Sequence, residues 1–135
     1  MASPTERLTG RTILLVEDDR AVRYILSRTL QEAGYGVIEA GDGLQAWTRF
    51  QDDPCRFDAL LTDVVMPRMP GTALAARVRA TRPSIPILLM SAYSPAELLE
   101  RGFEPAHADL MSKPFDPDQL LAAVRHILGE ETKDA

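Results

Sequence analysis

Apolar residues along the chain gather into short, nearly continuous runs, separated by longer stretches in which they recur every three or four positions. The runs are Thr12–Glu17, Gly36–Ala40, Ala59–Thr62, Ile85–Ser91 and Ala108–Ser112. Their length and continuity predict strands of a parallel sheet covered on both faces. Gly36–Ala40 alternates more, which predicts an edge strand. The stretches between them predict helices. After Asp19, the apolar positions Val22, Ile25, Leu26, Leu30 and Ala33 form a stripe at helical spacing that Gly34 stops. Asp42 is spaced to cap a second helix, with Gln45 three residues on. Ser94-Pro95-Ala96-Glu97 combines a capping serine, a first-turn proline and a glutamate that completes the box, opening a helix toward Gly102. Asp116-Pro117-Asp118-Gln119 repeats the device before Leu120, Leu121, Val124, Ile127 and Leu128. A helix over Thr72–Thr81 is less well marked, and Arg82-Pro83 ends it.

Strand and helix alternate five times, which predicts one α/β domain over residues 11–129: a five-stranded, doubly wound parallel sheet. The strand order 2-1-3-4-5 is one of the two common ones for such sheets. Residues 1–10 read as a polar lead and 130–135 as a frayed tail.

Four of the runs end on chemistry. The first runs into Glu17-Asp18-Asp19, the third into Asp63, the fourth into Ser91 and the fifth into Lys113-Pro114. In a parallel sheet all of these groups leave at the carboxyl edge, where open α/β sheets bind ligands. With adjacent strands about 4.8 Å apart, Asp18 and Asp63 fall on neighbouring strands and can share one ion. Lys113 starts about 10 Å from Asp63, a gap its side chain can largely cover, and Ser91 stands between them. Three acids this close raise one another's pKa unless a cation compensates. Lys113 supplies one positive charge, and Mg²⁺, which prefers carboxylate, water and phosphate oxygen, suits the rest. A carboxylate can serve as nucleophile for a phosphoryl group, with catalysis by positioning and charge neutralisation.

Composition narrows the setting. The 135 residues suffice for one domain with a real core, and 45% hydrophobic with 26% charged residues is ordinary for a globular protein. A net charge of −5 argues against direct nucleic-acid binding or binding to acidic membranes. No apolar stretch approaches the roughly 20 residues of a membrane span, and the polar start lacks a signal-peptide core. Cys55 is the single cysteine, so there is no disulfide framework and the expected location is cytoplasmic.

Leu14-Leu15-Val16-Glu17-Asp18-Asp19, Thr62-Asp63-Val64-Val65-Met66-Pro67, Met90-Ser91-Ala92 and Ser112-Lys113-Pro114-Phe115 together resemble the receiver domain of bacterial response regulators. The motifs stand in order and at normal separations over residues 11–129. The resemblance implies a flavodoxin-like (βα)5 fold. It also implies that Asp63 accepts a phosphoryl group from a histidine kinase or histidine phosphotransfer protein, with Mg²⁺ required. Asp18 would bind Mg²⁺ directly and Glu17 through water, with Asp63 and the backbone carbonyl of Val65 as further ligands. Ser91 would bond the new phosphate and Lys113 would pair with it. Pro114 matches a proline that follows a cis peptide. Many receivers carry an aromatic residue three positions before the lysine; this chain has Leu110 there. The implied output is a phosphorylation-dependent change of surface, read by a downstream protein.

Rival readings are weaker. Aspartyl-phosphate hydrolases of the dehalogenase type carry a second acid two residues after the nucleophile, where this chain has Val65, so enzymatic turnover is not expected. A degenerate receiver acting only as a binding module typically loses an acid, the acceptor or the lysine, and all are present. A serine hydrolase wants Gly-x-Ser-x-Gly, which Leu89-Met90-Ser91-Ala92-Tyr93 lacks. The glycines at 34, 36, 41 and 43 make no dinucleotide loop. His107 and His126 with one cysteine make no zinc set. Trp47 and Phe50 read as packing, and the arginines at 20, 23, 28, 77, 79 and 82 as mostly solvated helix faces, with Arg20 and Arg23 placed to touch a partner near the acidic pocket. The chain ends just past the fifth helix, which leaves no room for a DNA-binding output domain. The expectation is therefore a stand-alone receiver, favoured by Met1, or a receiver segment such as those joined to hybrid sensor kinases.

Overall fold

In the computed structural model, which describes residues 10–104 and 108–130, strands and helices alternate through the described residues. They are β1 (Thr12–Val16), α1 (Arg20–Glu32), β2 (Gly36–Ala40), α2 (Gly43–Asp52), β3 (Ala59–Asp63), α3 (Gly71–Thr81), β4 (Ile87–Ser91), α4 (Pro95–Glu100), β5 (Asp109–Ser112) and α5 (Pro117–Leu128). A short 3₁₀ turn at Pro54–Arg56, unforeseen from the pattern, precedes β3. The expectations for residues 1–9, for His107 and for 131–135 lie outside the described residues.

The sheet is parallel throughout, in the order β2-β1-β3-β4-β5. Side chains alternate between its faces, and so the core divides in two. Ile13 and Leu15 of β1 pack with Leu26 and Leu30 of α1 and with Leu120 and Val124 of α5. Leu14 and Val16 pack on the opposite face with Ala46 and Phe50 of α2 and with Leu74 and Val78 of α3. Both faces of the middle strands are covered, which is why β1, β3 and β4 are buried along their whole length. β2 is less buried and lies at an edge, as its alternation predicts. Phe50 is a core residue flanked by the rings of Trp47 and Phe57, each at 6.0 Å.

Local signals set the helix starts. Asp19 accepts hydrogen bonds from the amides of Ala21 and Val22, a cap worth about 1 kcal/mol. Both capping boxes form, Ser94 with Glu97 and Asp116 with Gln119. At α2 only half of the expected box forms: Asp42 accepts from the Gln45 amide, but the Gln45 side chain accepts from Gly41 instead. α3 starts at Gly71 with no side-chain cap, since Pro70 stands at the cap position. No helix among the described residues is long and apolar enough to cross a membrane.

Several boundaries move. Glu17 lies beyond β1, while β3 extends one residue to include Asp63, which aligns with Met90. β4 begins at Ile87 rather than Ile85, after Pro86, which has no amide proton and offers only its carbonyl, to which the Leu60 amide donates. α4 ends at Glu100, short of Gly102, which adopts a φ of 87°. Glu130, assigned to the frayed tail, is held by the Tyr35 hydroxyl at 2.8 Å and by Arg11 at 3.1 Å.

Candidate functional site

Register brings the four chemical strand ends together. Val16 pairs with Thr62, so Glu17 follows level with Asp63. Ser91 pairs with Ser112, so Lys113 leaves the sheet one step beyond Ser91, and its amide bonds the Ser91 carbonyl at 2.8 Å. Glu17, Asp18, Asp63, Val65, Ser91 and Lys113 line one cavity, with Met90, Ala92 and Tyr93 completing its wall. Every residue that the sequence nominates for the site is there.

Carboxylate oxygens of Glu17, Asp18 and Asp63 lie within 4.8 Å of one another. Glu17 and Asp63 are buried, whereas Asp18 is exposed. The Lys113 ammonium reaches both buried acids, 2.6 Å from Asp63 Oδ1 and 3.0 Å from Glu17 Oε1. Asp63 Oδ1 is fully buried yet receives no hydrogen bond of normal geometry, with the Lys113 ammonium its nearest cation at 2.6 Å. Glu17 is anchored further: the Asp19 amide donates to its Oε2 at 3.0 Å and its own amide donates to Ala40 at 3.2 Å. The Ser91 hydroxyl oxygen accepts from the Tyr93 amide at 2.9 Å, which leaves its proton to donate into the cavity. Lys113-Pro114 is a cis peptide.

The electrostatics follow from two buried acids sharing one ammonium. Burial pushes the Asp63 carboxyl well above the usual carboxylate range; Glu17 beside it adds to the rise, and Lys113 opposes it. For Glu17, burial alone would raise the pKa, but hydrogen bonds from Asp63, the Asp19 amide and Lys113 outweigh it and hold the group low. Burial also disfavours the Lys113 ammonium, but its contacts with Asp63 and Glu17 outweigh that and raise its pKa. In the absence of a second cation the two acids therefore share a proton that rests on Asp63. A buried carboxylate oxygen with no hydrogen bond, beside two more acids, is an all-oxygen donor set that fits Mg²⁺.

Several arginines make specific contacts, and Arg23 and Arg82 are only partly exposed where their helical spacing suggests solvated groups. Arg23 donates to the Glu17 carbonyl at 2.7 Å and pairs with Glu39 at 3.3 Å. Arg82 donates to the carbonyls of Pro54 and Phe57. Arg77 lies over the Trp47 ring, and Arg101, from the end of α4, sits 4.0 Å above the ring of Tyr93. Glu39, Pro54, Phe57 and Trp47 are distant in sequence from their arginines, and an arginine on a helix carries no sign of which carbonyl it will meet.

A family model for the response regulator receiver domain matches residues 13–125. The chain is 38% identical over 122 residues to the response regulator MprA of Mycobacterium leprae, covering 90% of this chain and 53% of that protein. It is 35% identical over 122 residues to the transcription factor SKN7 of Chaetomium thermophilum, of which it covers 16%. The chain thus spans about half, or much less, of the length of these curated relatives. Among solved structures it is similar to the chemotaxis protein CheY4 of Vibrio cholerae, with a TM-score of 0.78 and 34% identity over 87% of this chain and 98% of that one. It is also similar to the receiver domain of the hybrid histidine kinase CckA, with a TM-score of 0.73 and 31% identity over 87% of this chain and 98% of that one. The chain belongs to the response regulator receiver domain family of two-component signalling.

Proposed function

We propose that Asp63 accepts a phosphoryl group from a phosphohistidine of a histidine kinase or phosphotransfer protein, in a Mg²⁺-dependent reaction, and that residues 11–129 form the working unit. The observation that carries this reading is the buried Asp63 oxygen, 2.6 Å from Lys113 and grouped with two more acids at the carboxyl edge of the sheet. A carboxylate oxygen of Asp63 attacks phosphorus, the O–P bond forms as the P–N bond to the donor imidazole breaks, and the imidazole nitrogen leaves with the electron pair. Glu17, Asp18, Asp63 and the Val65 carbonyl would hold Mg²⁺, whose positive charge would favour the ionised acceptor and balance the phosphoryl oxygens. Lys113 pairs with one phosphoryl oxygen, and Ser91 donates its hydroxyl proton to another.

The donor has a landing place next to Lys113. Val22, Ile25, Leu26, Pro114 and Phe115 line an apolar groove that opens beside it, and Ile25 is 58% exposed. A histidine-bearing helix of the donor, laid in this groove, would bring its imidazole to the acidic cavity. Such donors act in the cytoplasm, which is where we assign this chain. On the output side, Ser91 is bonded to Tyr93, and Tyr93 carries Arg101, so a shift of the Ser91 loop would move the end of α4. Leu110 offers no ring for a rotamer switch.

Incubation with a small acyl phosphate is expected to add one phosphoryl group, mapped to Asp63, only when Mg²⁺ is present. Asp18→Ala is expected to raise the Mg²⁺ requirement and slow the transfer. Labelling without Mg²⁺, or on another residue, would sink the proposal.

The lifetime of the phosphorylated form follows from the cavity wall. Val65 and Tyr93 both line it, and neither side chain is suited to orient an attacking water. Loss of phosphate is expected to be slow, and Val65→Asn to speed it, because an amide side chain can hydrogen-bond and orient the attacking water. Phosphate release followed over time decides this; an unchanged or slower rate in Val65→Asn would refute it.

A further inference from the structure

Arg23 stands in the first turns of α1 and reaches back over the acidic turn. Its Nη1 donates to the Glu17 carbonyl oxygen at 2.7 Å, and its Nε lies 3.3 Å from Glu39 Oε1 on β2. Its side chain is only 20% exposed, against 42% for Glu39. The guanidinium is thus clamped between a strand and a turn, which costs a long side chain much of its rotamer freedom.

The oxygen that it holds belongs to the peptide joining Glu17 to Asp18. Rotation of that peptide swings the bond from which the Asp18 side chain projects. The other ties on the turn act elsewhere. Ala40 holds the Glu17 amide, the Asp19 amide bonds the Glu17 carboxylate, and the Asp19 carboxylate caps α1. Asp18 is exposed and has little packing to fix its direction. Outer groups that orient ligands in this way are worth about tenfold or more in metal affinity.

We infer that Arg23 is a positioning residue for the Mg²⁺ site, gripping the Glu17 carbonyl and anchoring on Glu39 so that the Asp18 carboxylate stays within reach of Asp63. The inference rests on the Mg²⁺-dependent reading above. Arginine suits the task because its planar fork carries donors on separate nitrogens that serve the carbonyl and the carboxylate together, whereas all of lysine's donors sit on one nitrogen.

The test is a Mg²⁺ titration of the full chain without any phosphodonor, followed by amide shifts at residues 17, 18 and 63. Arg23→Ala is expected to need about tenfold more Mg²⁺ for half-saturation. Arg23→Lys is expected to fall between it and wild type, and Glu39→Gln to shift weakly in the same direction. With an acyl phosphate present, the loss should appear in the Mg²⁺ concentration required and not in the rate at saturating Mg²⁺. A merely structural arginine would lower thermal stability and leave Mg²⁺ affinity alone, and that result overturns the inference. If Arg23→Ala does not fold, wild-type affinity in both Arg23→Lys and Glu39→Gln overturns it equally. A wild-type chain that shows no Mg²⁺ saturation at all would instead remove the functional reading beneath it.

Discussion

Asp63→Asn is expected to take up no phosphoryl group and yet to melt at a higher temperature than wild type in metal-free buffer. The first effect is loss of the nucleophile, since an amide oxygen has too little basicity to attack phosphorus. The second follows from burial. The fold raises the Asp63 pKa from an ordinary 3.8 to about 8, chiefly by desolvation and then by the nearby Glu17. Below pH 4 the carboxyl is neutral both in the fold and in the unfolded chain, and the fold bears no penalty. As pH rises toward 8 the unfolded chain ionises freely while the fold resists, so metal-free wild type loses stability through this window. Asparagine stays neutral and escapes the loss, while Glu17 and Lys113 remain as a balanced pair. The gain is on the order of 2 kcal/mol, less than the whole shift implies because the contacts of the carboxyl with Glu17 and Lys113 are given up. Thermal unfolding at pH 5 and pH 8 with a chelator should show the variant ahead by roughly 6 °C at pH 8, and by less at pH 5. Mg²⁺ should narrow the difference by stabilising wild type. A variant that is labelled like wild type, or that is less stable at pH 8, contradicts this account.

Gly71→Ala should be among the most damaging single substitutions outside the cavity. Gly71 opens α3, and its amide donates to the Val64 carbonyl at 2.8 Å, closing the loop that follows the acceptor. A Cβ there would run into the Asp63 carbonyl oxygen, with Thr62 Cγ2 at 3.2 Å leaving no retreat. The obstacle is strand backbone, which cannot rotate aside as a side-chain tip can. The loop has a second constraint: Arg68 is held at a φ of 71° and pairs with Asp42 at 3.1 Å. Moving α3 off β3 is expected to cost about 3 kcal/mol or more. It should also displace Asp63 from Lys113, so transfer slows even in protein that remains folded. Urea unfolding should give a clearly lower midpoint with an unchanged slope. A wild-type midpoint and rate would mean that the loop yields freely.

Much of the architecture was legible in the sequence because its causes are local. The boxes at Ser94–Glu97 and Asp116–Gln119 need only four consecutive residues, and both form as read. The apolar runs of β1, β3 and β4 read as strands covered on both faces, since they are too short for buried helices and alternate with helical stretches. Acids, serine and lysine at the ends of such strands must gather at one edge whenever the strands are parallel. The nomination of the cavity residues needed no more than this and the family pattern.

Tertiary structure decided what depends on partners far along the chain. Whether Asp63 belongs to β3 or to the loop turns on its alignment with Met90, and the shift in its pKa turns on burial beside Glu17. α3 begins at Gly71 because that residue lies against the Asp63 backbone, a reason that no capping pattern records. Arg82 turned from solvent to the carbonyls of Pro54 and Phe57 because packing put those groups within reach. The sequence by itself determined which segments are strands and helices and which chemical groups meet at the sheet edge, since hydrophobic period and caps act within a few residues. Distances, protonation and the clamps on the acidic turn were decided only by the fold, because they are set by contacts between groups that the chain itself keeps apart.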